Sequence, residues 1–162
     1  MGGVDSRVDG IFMAAMASFA SGVAVVTTRD RDGVFRGLTA TSLVSYSSRP
    51  PSVLICIDRT SVSYRALTEC ECFAVMLLAA DQEGVARVFA SKDPDKFEQI
   101  PWEMSQEGLP ILRGAIAHLV CTSSFVVAHG DHAVLIGHVT DGAMSAAPPL
   151  VYWNRSFYQG LE

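Results

Sequence analysis

Apolar positions in this chain follow two rhythms, and the switches between them mark out the elements. Val8, Phe12, Met16 and Phe19 recur at helical spacing. Asp5 or Ser6 stands ready as N-cap and Asp9 lies near the positive end of the dipole, which predicts an amphipathic opening helix that stops at Ser21-Gly22. Residues 23–28 are then a β-branched run bounded by Asp30-Arg31-Asp32-Gly33, the pattern of a buried strand closed by a turn. A second strand is expected over residues 34–38. It leads into residues 39–48, which are crowded with hydroxyls and end at Pro50-Pro51. Residues 53–57 predict another strand, and a helix follows from Ser61 or Ser63 to about Cys70.

The second half repeats the alternation. Residues 73–78 are strand-like, and Asp81 is placed to cap a helix whose Val85, Val88 and Phe89 share a face. Residues 115–127 and 133–144 form two longer strands around Ala128-His129-Gly130-Asp131-His132, which supplies the turn of an antiparallel hairpin. A last strand is expected over residues 150–153. Many strands with hairpin-length connections, and helices at the start and middle, predict a mainly β fold with helices, an antiparallel barrel rather than a doubly wound sheet. No repeat, low-complexity tract or linker divides the chain, so residues 1–162 are expected to fold as a single domain.

Composition adds a partner to this picture. Hydrophobic residues make up 49% of the chain, high for a small protein, which points to apolar surface covered by a second subunit. No apolar run approaches the roughly 20 residues of a membrane span, and the first residues lack the pattern of a secretory signal, so a cytoplasmic protein is expected. A net charge of -5 with no basic patch argues against nucleic acid. Cys56, Cys70, Cys72 and Cys121 sit in apolar stretches without a CxxC pair, so they read as buried thiols, not as zinc or redox ligands.

Candidate chemistry is sparse. There is no GxGxxG, no GxxxxGK[ST] and no GxSxG, which removes the Rossmann, P-loop and hydrolase-elbow readings. The hydroxyl-rich stretch of residues 39–48 could hydrogen-bond the carbonyls and ring nitrogens of a flat heterocycle. Arg59, Thr60, Ser61 and Ser63, at a helix start, could offer free amides and side chains to a phosphate. Turn formation and capping account for the same residues, and taken alone they favour that plainer reading. His132, beside Asp131 at the hairpin turn, could meet a substrate or be solvated. His129 and His132 have no third ligand in reach, so no metal is expected. No arginine cluster marks a pocket for a 2′-phosphate.

The order of segments resembles the flavin reductase family that serves two-component monooxygenases. Residues 19–28 (Phe-Ala-Ser-Gly-Val-Ala-Val-Val-Thr-Thr) resemble its helix-to-strand signature. Gly37-Leu38-Thr39-Ala40-Thr41-Ser42, with Ser45, Ser47 and Pro50-Pro51, resembles its flavin loop. Phe89-Ala90-Ser91-Lys92, Asp95-Lys96-Phe97, Gly108-Leu109-Pro110, Gly130-Asp131-His132 and Tyr152 keep the family's order. Arg49 before the prolines and the extra His129 depart from it.

The resemblance implies an FMN-binding split barrel of Greek-key type, a homodimer, and hydride transfer from NADH or NADPH to FMN or FAD, with reduced flavin passed to a separate monooxygenase. It implies that Thr39, Ala40, Thr41 and Ser42 line the flavin, that Ser45 and Ser47 support them, and that Arg59, Ser61 and Lys92 hold phosphate. His132 would face the nicotinamide as the catalytic residue, with Gly130, Asp131 and Tyr152 also in the site. The alternatives are a split-barrel flavoprotein that oxidises a small amine and a non-catalytic barrel that binds or senses flavin.

Overall fold

The computed structural model describes residues 6–159. Sixteen elements follow in order: α1 (Ser6–Ser18), β1 (Ser21–Gly22), β2 (Ala24–Arg29), β3 (Phe35–Ala40), β4 (Val44–Ser48), β5 (Pro51–Asp58), α2 (Tyr64–Glu69), β6 (Cys72–Leu77), α3 (Glu83–Ala90), α4 (Lys96–Gln99), β7 (Trp102–Met104), β8 (Pro110–Leu112), β9 (Ala117–His129), β10 (His132–Met144), β11 (Leu150–Trp153) and β12 (Ser156–Gln159). Seven strands form one antiparallel sheet in the order β3-β2-β6-β9-β10-β5-β4; β1-β11-β12 and β7-β8 form two smaller ones. The expectation of a mainly β, antiparallel fold with helices holds.

Strand β2 reads as a continuous apolar run because both its faces are covered. Val23 and Val25 join one core cluster, with Met76, Ala86 and Phe89; Ala24 and Val26 join another, with Phe73 and Val75. The second cluster also holds Leu38 and Ala40 of β3 together with Val53, Ile55 and Ile57 of β5. These strands stand near opposite ends of the sheet order, so the sheet is strongly rolled, and its interior is filled by side chains. Ile55, Ile57 and Leu135 are fully buried there, each worth about 1.5–3 kcal/mol of transfer free energy.

Several sequence expectations shift. The second strand runs on to Ala40, taking Thr39 and Ala40 into the ladder opposite Val25 and Ala24. Ser45 and Ser47 belong to β4, an edge strand paired with β5, where they face Val53 and Ser52. Serines carry no strand signal of their own, so pairing with β5 decides their conformation. The cap of α3 is Gln82, not Asp81: its Oε1 accepts the Ala79 amide at 3.0 Å while its Nε2 donates to the Arg113 carbonyl at 2.8 Å. The hairpin is as expected, with His129 paired to His132 across the two-residue loop Gly130-Asp131, where Gly130 takes the left-handed φ of 59°. Strand β12 and helix α4 have no counterpart in the sequence reading.

Helix α1 forms, but buries none of its residues; Ile11, Phe12, Met13 and Met16 are all more than half exposed. Ser6 is already helical, and Asp5 lies outside the described residues. The end of α1 is fixed to the β11–β12 turn, since the Ala17 carbonyl accepts the Asn154 amide at 2.8 Å and the Ser18 carbonyl accepts Trp153 Nε1–H at 3.1 Å. Among the described residues no helix is long and apolar enough to cross a membrane.

Candidate active site

A cleft of about 390 Å³ opens where the end of β3 turns towards β4, bounded by β5, the segment after it and the C-terminal end of α3. That is within the usual range for a small-molecule site. Leu38, Thr39, Ala40, Thr41 and Ser42 form one wall. Cys56, Asp58, Thr60, Ser61 and Val62 form a second, Phe89, Ala90, Ser91, Lys92 and Lys96 a third, and His132 stands at the edge. Eight of the candidate residues named from the sequence therefore meet here: Thr39, Ala40, Thr41, Ser42, Thr60, Ser61, Lys92 and His132.

Their hydroxyls are not equally available. Thr39 Oγ1 donates to the Ala86 carbonyl at 2.7 Å, which ties β3 to α3. Ser42 Oγ donates to the Cys56 carbonyl and accepts the Cys56 amide, both at 3.1 Å, pinning the β3–β4 link to β5. Thr41 is exposed and makes no hydrogen bond to the described residues, so its hydroxyl is the one this stretch presents to a ligand. The sequence reading treated these side chains alike; the structure divides them into two fasteners and one free group.

Four of the amides expected to be free at residues 59–63 are engaged. Arg59 N–H donates to the Asp131 carbonyl (2.9 Å), Thr60 N–H to the Asp58 carboxylate (2.7 Å), Ser61 N–H to the Asp58 carbonyl (3.0 Å) and Ser63 N–H to Ser61 Oγ (3.2 Å). Val62 N–H makes no hydrogen bond to the described residues, and α2 begins only afterwards, at Tyr64. What remains for an anion is the Val62 amide, the Ser61 hydroxyl proton and the exposed Lys92 ammonium. Asp58 sits among them, its carboxyl held below the ordinary value by the Thr60 amide and hydroxyl, with His132 and Lys92 adding to the effect.

His132 is oriented by its neighbour. Its Nδ1 lies 2.8 Å from Asp131 Oδ1, and this contact holds the Asp131 carboxyl below its usual range. With Nδ1 engaged, Nε2 is the nitrogen left for a ligand. Arg59 lies outside the cleft lining, where Nη1 donates to the Gly130 carbonyl at 3.3 Å. Arg59, Gly130 and Asp131 thus form the turn that carries His132. Ser45 and Ser47 do not line the cleft: Ser45 is exposed on β4, and Ser47 Oγ accepts the Arg49 amide. Tyr152 is also elsewhere, on β11 opposite Ser21, with its ring 5.1 Å from Phe157.

The sequence reading passed over Lys96. Its side chain is buried, and Nζ donates to the carbonyls of Phe89 at 2.9 Å and Gly37 at 3.2 Å. Burial pulls the ammonium below its ordinary pKa, against the opposing pull of Asp93. A lysine between Asp95 and Phe97 looks like surface, and only the fold shows that it crosses from α4 to bind the last turn of α3 to β3.

An apolar floor (Leu38, Ala40, Val62, Phe89) with hydroxyls and an ammonium at the rim suits a flat heterocycle bearing an anionic tail. Comparison with known proteins gives the family. Residues 16–161 match the model of the flavin reductase like domain. The reductase subunit HsaB of a flavin-dependent monooxygenase from Rhodococcus jostii is 38% identical over 152 residues, 93% of this chain and 77% of that protein. The reductase component of a flavin-dependent trigonelline monooxygenase from Acinetobacter baylyi is 37% identical over 144 residues, 89% of this chain but only 46% of that longer protein. The NADH:FAD oxidoreductase SgcE6 of Streptomyces globisporus, solved with NAD and FAD fragments, superposes with a TM-score of 0.89 at 33% identity, covering 99% of this chain and 98% of that one. With its fold and nearly its whole length in agreement, the chain belongs to the flavin reductase family.

Proposed function

We propose that this flavin reductase holds the isoalloxazine of FMN or FAD against Leu38, Ala40 and Phe89, takes its hydride from NADH or NADPH, and releases the product to a separate monooxygenase. The observation that carries the reading is the convergence of Thr41, Ser61, Lys92 and His132 on one half-apolar cleft from four separate segments. A bound flavin supplies the redox chemistry, accepting hydride from the reduced nicotinamide. The chain's own residues position and stabilise. Thr41 offers a hydroxyl to the ring's polar edge, Ser61 and Lys92 offer donors to the phosphate, and His132 Nε2 faces the nicotinamide carboxamide. Thr39, Ser42 and Lys96 hold the walls at fixed spacing.

Release fits this design, because the cleft is open and its phosphate donors are few and exposed. The monooxygenases named with the relatives support a partner of that class. A homodimer is supported by α1, whose Ile11, Phe12, Met13 and Met16 make a contiguous exposed apolar face. Four unpaired thiols and a requirement for reduced pyridine nucleotide suit the cytoplasm.

The test is oxidation of NADH and of NADPH by the purified chain with FMN, FAD and riboflavin in turn. Turnover dependent on added flavin is expected. Binding without turnover would leave a flavin carrier, and neither binding nor turnover would end the proposal.

A further inference from the structure

Beside the flavin cleft lies a second one of about 400 Å³, and Val62 lines both. Its walls bring together Arg29 at the end of β2, Arg31 in the following turn, Arg36 on β3 and Arg65 on α2. Three of the four fall within residues 29–36, interleaved with Asp30 and Asp32, and Arg65 joins them only in the fold, which is why an arginine pocket was not legible in the sequence. We propose that it is a subsite for the phosphate-bearing adenosine half of a dinucleotide whose reactive ring occupies the flavin cleft; this rests on the flavin reductase reading of that cleft.

The charge balance favours an anion. Four guanidinium groups face the carboxylates of Asp30, Asp32 and Glu69. Asp30 is occupied within its own turn, accepting the Asp32 and Val34 amides as well as Arg36 Nε at 3.0 Å. Glu69 serves two arginines at once, Arg31 at 3.5 Å and Arg65 at 3.3 Å. Arg29 has no carboxylate within ion-pair distance among the described residues. The cleft therefore carries excess positive charge on a chain whose net charge is -5.

The arginines are also free to exchange partners. The Arg31 and Arg65 side chains are 75% and 79% exposed, and ion pairs so open to water hold little energy, so a phosphate can displace Glu69 without a large loss. Guanidinium groups bind phosphate oxygens through paired donors, and several converging on one cleft can hold it. Val62, half exposed, forms the shared wall over which a dinucleotide would pass from one cleft to the other. FAD and the pyridine nucleotides both carry the required adenosine phosphate, and the experiment separates them.

The test uses the double variant Arg29→Gln/Arg65→Gln, both side chains at the surface, with KM measured for FMN, FAD, NADH and NADPH, and calorimetric titration with adenosine 2′,5′-bisphosphate. Loss of about one charge-assisted phosphate contact predicts roughly a tenfold rise in KM for the dinucleotide concerned, with the KM for FMN unchanged. A rise for FAD alone assigns the subsite to the flavin; a rise for NADPH, with or without NADH, assigns it to the pyridine nucleotide. Unchanged constants for every dinucleotide would overturn the proposal, as would a parallel rise for FMN, which would show a disturbed flavin cleft. If the wild-type chain reduced no flavin, the flavin reading would fail by itself. The titration would still report on the arginines: the bisphosphate must bind the wild-type chain and lose affinity in the double variant, or the subsite is refuted.

Discussion

A β-carbon built on Gly37 would stand 2.7 Å from Cε1 of Phe89, so the aromatic ring occupies the space that any other residue at position 37 would need. The contact joins β3 to α3, and Phe89 is also a wall of the flavin cleft. The same strand residue is also held through its carbonyl, which accepts Ser63 Oγ at 2.8 Å and Lys96 Nζ at 3.2 Å. Gly37→Ala should therefore force the ring outward, costing about 1–3 kcal/mol as overpacking does. Urea unfolding measures the loss, and a higher flavin KM in the folded fraction should accompany it. Unchanged stability would mean that the strand and helix separate freely.

Thr41→Val separates ligand binding from folding. The hydroxyl has no partner among the described residues, so its loss should leave the unfolding midpoint where it is while weakening flavin binding about threefold to tenfold, the worth of one hydrogen bond. Ser42→Ala should do the reverse. It removes both bonds to Cys56 and should cost about 1 kcal/mol of stability, with a smaller effect on the ligand. Fluorescence titration with FMN and urea unfolding of the two variants check the contrast.

The strands were legible wherever burial left a periodic trace. Residues 23–28 show it because their two faces pack into separate clusters, residues 53–57 because Val53, Ile55 and Ile57 alternate into one of them, and the long hairpin because Gly130-Asp131 interrupts two runs of matching length. Edge strand β4 was not legible: Val-Ser-Tyr-Ser-Ser acquires its conformation from β5, not from its own residues. The candidate site was half legible for a related reason. Type and order singled out Thr41, Ser61, Lys92 and His132, which the fold brings to one cleft, but which hydroxyls were already engaged, and that Lys96 is buried, depend on groups up to 59 residues away. Tyr152 illustrates the converse, since its place in the family's order says nothing of the sheet it lies in.

His132 should separate the two substrates. Its Nδ1 is held by Asp131, which leaves Nε2 for a ligand at the cleft edge, so His132→Ala should raise the KM for NADH more than that for flavin. Asp131→Asn keeps the ring but weakens its orientation and should move the same constant, less far. Steady-state kinetics with each substrate varied in turn decides this; equal effects on both substrates would place the imidazole outside the nicotinamide site.

Lys96 should leave a signature in the pH dependence of stability. Its ammonium is removed from water, which lowers its pKa in the folded chain below the ordinary 10.5, whereas the unfolded chain regains the ordinary value. Between those two values the unfolded state binds more protons, so stability gains with rising pH across that interval and the gain is complete above 10.5. Lys96→Met removes the titrating group, together with its bonds to Phe89 and Gly37. The variant should be less stable at neutral pH because the Phe89 carbonyl loses a buried donor, and its stability should lack the alkaline rise of the wild type. Urea unfolding of both proteins from neutral pH to about pH 10 gives the comparison, the difference between them widening as the pH rises. Parallel curves would show that the ammonium is hydrated in the folded chain, and the two carbonyl bonds would then be too weak to hold the last turn of α3 against β3.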